Sequence, residues 1–369
     1  MHIGIPKETK TEEHRVAATP AGVAALVQAG HRVTVGASAG AAIGFEDAAY
    51  VAAGARLAAD TAEVYQADLI FKVKEPQPEE VQYLRAEQVL FCYLHLAAAP
   101  TLASDLLNRR VTAIAFETIT DAQGGTPLLA PMSQVAGRLS IQVGMQALEM
   151  KNGGRGTLLA GVPGVAPGKV VIIGGGQVGA NAARIALGIG ADVTLLDRNP
   201  ERLRYFDDLY QGRLQTRYSN PANLEACLLQ ADLTVGAVYL QGRRAPRLIP
   251  REWVQRMPRG SAIIDVAIDQ GGIAETSRLT THTSPFFVEA GVVHYGVANM
   301  PGAVARTSTA ALMEATLPYL LRLAAGGPKA AFSADPGFAA GLNLANGAVC
   351  HPGLALDLKL DHQPWLALV

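Results

Sequence analysis

Short apolar runs alternate with helix-length amphipathic segments from one end of the chain to the other, the pattern of βαβ units that build parallel sheets. Five runs, at 3–6, 31–36, 68–73, 89–93 and 111–116, predict a first series of strands. Helices fit between them: Thr19-Pro20 reads as the N-cap and first residue of one that Gly30 terminates, and 100–110 reads as another. Six further runs, at 169–173, 192–196, 213–217, 232–237, 261–266 and 293–297, predict a second series, enough for a complete dinucleotide-binding sheet. Between the two series lies a helical stretch, 131–151, with Val135, Leu139, Val143, Ala147 and Met150 on one face and Asn152-Gly153-Gly154 closing it. A second long helix is predicted over 308–325, ended by Gly326-Gly327-Pro328. Residues 329–369 are too few for a domain and are expected to pack on an existing one.

The second series opens on the chain's strongest local signal. Val170-Val171-Ile172-Ile173 reads as a buried strand, Gly174-Gly175-Gly176-Gln177-Val178-Gly179 supplies G-x-G-x-x-G, and a helical segment follows at 180–187. Gly174 permits the tight turn, Gly176 lets the backbone approach a pyrophosphate, and Gly179 lets the helix pack close to the strand. The helix N-terminus then points unpaired N–H groups at the phosphates. The next strand ends at Asp197, about 20 residues on, where a carboxylate would accept hydrogen bonds from a ribose diol. Arg198 blurs the choice of cofactor, because an arginine here can accommodate a 2′-phosphate that a carboxylate repels; Asp197 favours NAD. The superficially similar 161–169 is no P-loop: Pro163 takes the first glycine's place, and Val170 and a strand follow where Ser or Thr and a helix are needed.

Composition narrows the class. With 369 residues the chain is long enough for two domains, and hydrophobic residues at 49% allow sizeable cores. Charged residues at 17% and a net charge of −1 leave no basic surface for nucleic acid. The N-terminus has no apolar signal region and no apolar run approaches the roughly 18 residues that span a bilayer, so a soluble, cytoplasmic protein with no membrane partner is expected. Cys92, Cys227 and Cys350 are isolated, read as small buried apolar residues, and predict no metal site.

In open α/β sheets ligands bind beyond the carboxyl ends of the strands, so polar residues there are the site candidates. The 68–73 strand runs into Lys72-Val73-Lys74-Glu75-Pro76, and alternation puts Lys74 at its end on the same side as Lys72. The 89–93 strand ends at Tyr93-Leu94-His95-Leu96, placing at its end an imidazole that can exchange protons near neutral pH. Asp269 lies in the loop Asp265-Val266-Ala267-Ile268-Asp269-Gln270-Gly271-Gly272, beyond the fifth strand of the dinucleotide sheet, within reach of the nicotinamide end of a cofactor. Arg15 could fork onto a substrate carboxylate.

Taken in order, Ile3-Gly4-Ile5-Pro6-Lys7-Glu8, Arg15-Val16-Ala17 with Thr19-Pro20, the Lys72 and Tyr93 segments, Pro131-Met132-Ser133, the Gly174 fingerprint, the Asp265 loop and Val297-Ala298-Asn299-Met300-Pro301-Gly302 resemble the alanine dehydrogenase family. That family is related to the soluble NAD-binding part of proton-translocating transhydrogenase. The resemblance covers nearly the whole chain and is weakest after Gly326. It implies two doubly wound α/β, Rossmann-like domains, with the NAD-binding domain inserted into a discontinuous catalytic domain: 1–130 as the first catalytic segment, 131–306 as the NAD domain with its linking helix, and 307–369 as a linking helix and tail returning to the catalytic domain. It implies NAD-dependent, reversible oxidative deamination of L-alanine to pyruvate and ammonium. Arg15 and Lys74 would bind substrate, and His95 and Asp269 would transfer protons. Ser133, Gly174, Gly176, Gln177, Val178, Gly179, Asp197, Arg202, Ser219, the Val238-Tyr239 backbone and the loops at Ile268-Asp269 and Asn299-Met300 would contact NAD. Members are commonly hexamers, so a homo-oligomer is implied. A transhydrogenase subunit and a non-catalytic NAD-binding module stand as the alternatives.

Overall fold

A computed structural model of the chain describes residues 1–238 and 245–367. Strands run, in chain order, β1 (His2–Ile5), β2 (Arg32–Gly36), β3 (Arg56–Ala58), β4 (Leu69–Phe71), β5 (Val89–Cys92), β6 (Thr112–Ala115), β7 (Lys169–Ile173), β8 (Asp192–Asp197), β9 (Gln215–Tyr218), β10 (Leu233–Gly236), β11 (Ala262–Asp265), β12 (Phe286–Glu289), β13 (Val292–Tyr295), β14 (Leu342–Ala345) and β15 (Ala348–Val349). The chain forms two compact units: residues 1–132 with 304–369, and residues 133–303.

The first unit is an eight-stranded sheet ordered β15-β14-β6-β5-β4-β1-β2-β3. Strands β1 to β6 are mutually parallel in the order 3-2-1-4-5-6, and β14 and β15 extend the β6 edge antiparallel. The second unit is a seven-stranded sheet ordered β12-β13-β11-β10-β7-β8-β9. Its parallel strands β7, β8, β9, β10, β11 and β13 repeat the same 3-2-1-4-5-6 winding, with β12 antiparallel on the edge. The expected pair of doubly wound domains, one inserted into the other, is therefore the observed architecture. In each sheet the order reverses between the first and fourth strands, and that switch point parts the loops at the carboxyl ends.

The apolar runs became strands because both faces of a parallel sheet are covered, so β1, β4, β5 and β6 are buried along their whole length. The predicted helix caps hold as well. The Thr19 hydroxyl accepts from the Gly22 amide at 3.1 Å, Pro20 opens the helix Pro20–Gln28, and Gly30 adopts φ 86° just beyond it. Several things were not anticipated. β3 is too short to carry an alternation, and β12 is an edge strand, which needs only one buried face; in the tail, the antiparallel pair β14 and β15 adds two short strands, with β14 buried between β6 and β15. Gly327 does break the second long helix, at φ 72° and ψ 175°, but the chain resumes helix beyond it to Ala334. Pro328 sits at the restart, where its missing N–H is not needed, and Ala331 and Phe332 bury the resumed turn.

That resumed helix carries the tail back to the first unit's core. Phe338, fully buried, meets Phe332 edge-on at 5.4 Å, Tyr319 at 5.0 Å and Phe91 of β5 at 6.0 Å; Phe91 in turn meets Phe116 edge-on at 4.5 Å. Residues more than 200 positions apart in sequence thus share one aromatic cluster. Phe338→Ala is expected to destabilise the first unit by about 3–5 kcal/mol, the usual cost of emptying a buried phenylalanine site. A fall in the urea midpoint of that unit's unfolding transition checks it.

Candidate active site

Polar residues gather at the switch point of the first unit. The loop after β1 brings Glu8, Glu13 and Arg15, and the end of β4 brings Lys72 and Lys74. Lys72 is completely buried: its Nζ lies 3.0 and 2.9 Å from the two oxygens of Glu80 and 3.3 Å from Glu8 Oε2. Glu80 also accepts from the Tyr65 hydroxyl at 3.0 Å, the Thr9 hydroxyl at 3.1 Å and the Gln77 amide at 2.8 Å. Burial pulls the Lys72 ammonium toward its neutral form, but Glu8 and Glu80 outweigh it and hold its pKa above the ordinary lysine value. Burial pushes the Glu8 carboxyl up, against Lys72 and the Val73 amide that donates to it at 2.6 Å. That amide belongs to the residue before Lys74, so the network fixes the strand end from which Lys74 projects.

Arg15 is 2% exposed and reads Glu13 with a fork: Nε to Oε1 at 2.7 Å and Nη2 to Oε2 at 2.6 Å, with the Arg15 amide on the same Oε1 at 3.0 Å. Nη1 donates to the Met132 sulfur at 3.2 Å. Burial disfavours the guanidinium, but Glu13 more than compensates. Lys74 is half-buried, and its ammonium makes no hydrogen bond or ion pair among the described residues. Its pKa is lowered by burial first and then by the neighbouring charges of Arg15 and Lys10, which makes it a readier proton donor than a surface lysine.

His95 follows β5 in a left-handed conformation, φ 48° and ψ 38°, costly for a residue with a Cβ. Glu117 enforces it. Its Oε1 accepts the His95 amide at 2.7 Å and the Leu94 amide at 3.2 Å, and stands 3.8 Å from His95 Nδ1. The imidazole lies parallel to the Tyr93 ring, 5.9 Å away, and Tyr93 is anchored by its hydroxyl to the Leu128 carbonyl at 2.6 Å. The ring itself is about half exposed. The first unit therefore assembles a guanidinium, an acidic ammonium and an accessible imidazole at adjoining strand ends. Sequence reading found these three and passed over Glu8, Glu13, Glu80 and Glu117; the pair Glu13-x-Arg15 was a visible hint, whereas Glu117 comes from another strand's end.

The second unit carries the fingerprint. Gly174, at φ 103°, turns so tightly that a Cβ there would meet the Ala237 carbonyl at 2.7 Å, across the switch between β7 and β10. A Cβ on Gly179 would lie 1.8 Å from the Gly174 carbonyl, so the helix Gln177–Gly188 packs as close as a glycine allows. Nothing lies within 4 Å of a Cβ on Gly176, which leaves that face of the turn open to a ligand. Gln177 and Val178 form the first helical turn, where unpaired amides favour an anion. Asp197 ends β8 and grips the turn: Oδ2 accepts the Gly175 amide at 2.5 Å and Oδ1 the Asn199 amide at 2.7 Å. Arg202 donates to the Gly175 carbonyl from Nε at 2.9 Å and Nη2 at 2.6 Å, with its guanidinium 4.9 Å over the Tyr205 ring.

Other predicted cofactor residues fall around this turn or on the loops beyond it. The Ser219 amide donates to the Asp197 carbonyl at 2.9 Å, and Val238 follows β10; Tyr239 lies outside the described residues. Ser133 is on the helix Ala130–Ala147, whose Gly137 is closely apposed to the fingerprint helix at the Val178 carbonyl. Asp269 is exposed in the short turn Ile268–Gln270, with Ile268 buried beneath it, and Asn299 adopts φ 58° immediately before the buried Met300. This cradle fits a dinucleotide: open at Gly176, lined by helix amides, and ending in a carboxylate.

Known families agree with both halves. Residues 4–136 match the family model "Alanine dehydrogenase/PNT, N-terminal domain" and residues 140–352 the model "Alanine dehydrogenase/PNT, C-terminal domain". The chain is 54% identical over 370 residues to an alanine dehydrogenase of Halomonas elongata, covering 100% of each, and 52% identical over 365 residues to one of Bacillus subtilis, covering 99% of this chain and 96% of the relative. A solved L-alanine dehydrogenase superposes with a TM-score of 0.95 at 48% identity, covering 97% of this chain and 99% of that one. Lys72→Met is expected to cost the first unit about 3–5 kcal/mol, because two buried carboxylates lose their cation; chemical denaturation measures it.

Proposed function

The chain belongs to the alanine dehydrogenase/pyridine nucleotide transhydrogenase family, and we infer that it catalyses the NAD-dependent, reversible oxidative deamination of L-alanine to pyruvate and ammonium. One observation carries the residue assignments: Arg15, Lys74 and His95 stand at adjoining strand ends of one sheet, a small-anion and proton-transfer set that hydride exchange between two nucleotides does not need. The functional division follows, with 1–130 and 307–369 presenting substrate and 131–306 holding NAD.

The Gly174–Gly179 turn, Asp197, Ser219, Val238 and the loops at Asp269 and Asn299 would hold NAD, which when bound accepts a hydride from the alanine Cα. Arg15 takes the substrate carboxylate; Glu13 keeps the guanidinium charged and fixed in a site from which water is largely excluded. Loss of hydride leaves an iminium carbon that water attacks, and the resulting carbinolamine must shed one proton and gain another before ammonia departs. Lys74, more acidic than an ordinary lysine, donates to the developing oxygen or nitrogen. His95, its backbone and ring held by Glu117 and its imidazole half exposed, relays protons between the substrate and solvent. Asp269 orients or deprotonates the attacking water. Each positioned proton transfer contributes roughly 10²- to 10⁴-fold. The protein is proposed to assemble as a hexamer, a reading that rests on the family resemblance and is checked by light scattering of the pure protein.

Pure protein is expected to reduce NAD with L-alanine, without a second protein, at a rate followed by absorbance; reduction that requires a partner protein would return the transhydrogenase reading. His95→Ala should abolish turnover and leave NAD affinity within about twofold, as expected for a group acting in the transition state rather than in ground-state binding. Equal loss of both would move His95 into a structural role. Asp197→Ala should raise the NAD dissociation constant by about tenfold or more, the worth of charge-assisted hydrogen bonds, while changing the pyruvate KM less; unchanged NAD titrations would remove Asp197 from the cofactor site.

A further inference from the structure

Asp265 ends β11 with its side chain turned under the loop that carries Asp269. Its Oδ2 accepts from three donors on the loop's returning limb: the Ile273 amide at 2.8 Å, the Ser277 hydroxyl at 2.5 Å and, more weakly, the Ala274 amide at 3.5 Å. Between Asp265 and Ile273 the chain runs out through the turn Ile268–Gln270, exposes Asp269 near its tip, and comes back through Gly271 and Gly272 at φ 99° and 80°. A Cβ on Gly272 would stand 2.6 Å from Asp265 Oδ2 and 3.0 Å from the Ser277 Cβ, so the return limb runs against the carboxylate itself. The outgoing limb starts one residue after Asp265, where the Val266 amide donates to the Gly236 carbonyl at 3.0 Å. One carboxylate therefore pinches the two ends of the loop together.

The arrangement is not the one that stability alone favours. Asp265 is 1% exposed, and its second oxygen, Oδ1, has no hydrogen-bond partner among the described residues and faces Gly236 at the end of β10. Burial pushes the carboxyl up, against Ser277 and the amides that hold it down. A buried, half-satisfied carboxyl is an expensive way to close a loop, and such groups collect where geometry is used. What this loop presents is Asp269, whose carboxylate has no hydrogen bond of its own among the described residues to aim it.

We propose that Asp265 is the positioning residue for Asp269: by tying the returning limb to the end of β11, it sets where the Asp269 carboxylate stands above the NAD-binding sheet. The proposal rests on the reading of Asp269 as a proton-transfer residue. A displacement of about 1 Å at a reacting group costs on the order of 100-fold in rate, so Asp265→Ala is expected to lower kcat in both directions by about that factor while the alanine KM and the NAD dissociation constant stay within about threefold. Because Asp265 acts through Asp269, the double variant Asp265→Ala/Asp269→Asn should be no slower than Asp269→Asn alone, to within about threefold. Losses that multiply would overturn the proposal. Amide exchange reads the loop directly: Ile273 and Ala274 should exchange faster in Asp265→Ala, and unchanged protection would sink the idea. Should Asp265→Ala fail to fold, Ser277→Ala removes one donor and keeps the acid; it is expected to give a smaller kcat loss, again absent in the Asp269→Asn background, and a multiplicative loss counts against the proposal in the same way. An Asp269→Asn variant of normal activity removes the Asp269 reading instead. Faster exchange in Asp265→Ala then still supports the bracing, and unchanged exchange still overturns it.

Discussion

A parallel sheet buries both faces, so it confines chemistry to its ends. Strands β1, β4, β5 and β6 are buried along their whole length, and polar groups that must meet a ligand gather beyond the carboxyl termini, where the reversal of strand order parts the loops. This chain applies that constraint twice with the same 3-2-1-4-5-6 winding. In the first unit the opening between β1 and β4 is filled with charge; in the second, the opening between β7 and β10 is kept clear by glycines. The two openings differ in side chains, not in topology: one gathers paired charges, the other leaves the space at the fingerprint turn that a dinucleotide needs.

Charge at the first opening is possible only because it is paired. Arg15 and Lys72 are as buried as the core phenylalanines, and neither could stay ionised there alone. Glu13 answers the first with a two-toothed fork, while Glu8 and Glu80 answer the second. Lys74 makes no such carboxylate contact among the described residues, and burial, with the charges of Arg15 and Lys10, lowers its pKa. The network thus leaves two lysines, two residues apart on one strand end, one held between carboxylates and the other with a lowered pKa. His95 shows the same logic in its backbone: a strained turn persists because Glu117 collects two amides around it.

At the second opening the carboxylates hold backbone rather than cations. Asp197 accepts the Gly175 amide and so shapes the turn it also serves, with Arg202 closing the same turn from the carbonyl side. Asp265 does for the Asp269 loop what Asp197 does for the glycine turn. Both sit at the last residue of a strand, where a rigid sheet can hand its precision to a loop.

How much of this was legible follows from the range of each interaction. Strand runs, the Thr19 cap, the Gly174 turn and the acid at Asp197 are local patterns, written in neighbouring residues because alternation, capping and positive φ are local demands. Edge strand β12 escaped because an edge needs little apolar content, β14 because a run of only four residues, Leu342–Ala345, carries too short a pattern, and the helix beyond Gly327 because glycine and proline mark its break without revealing its restart. The sequence by itself determined the two α/β windings, the nucleotide fingerprint and the identities of Arg15, Lys74, His95 and Asp269 as candidates. Only the tertiary structure decided which carboxylate answers which cation, why Lys72 and Lys74 differ, and how Glu117 and Asp265 fix their loops. Those pairings join residues brought together by sheet order, and desolvation, which sets their strength, exists only once the core has closed around them.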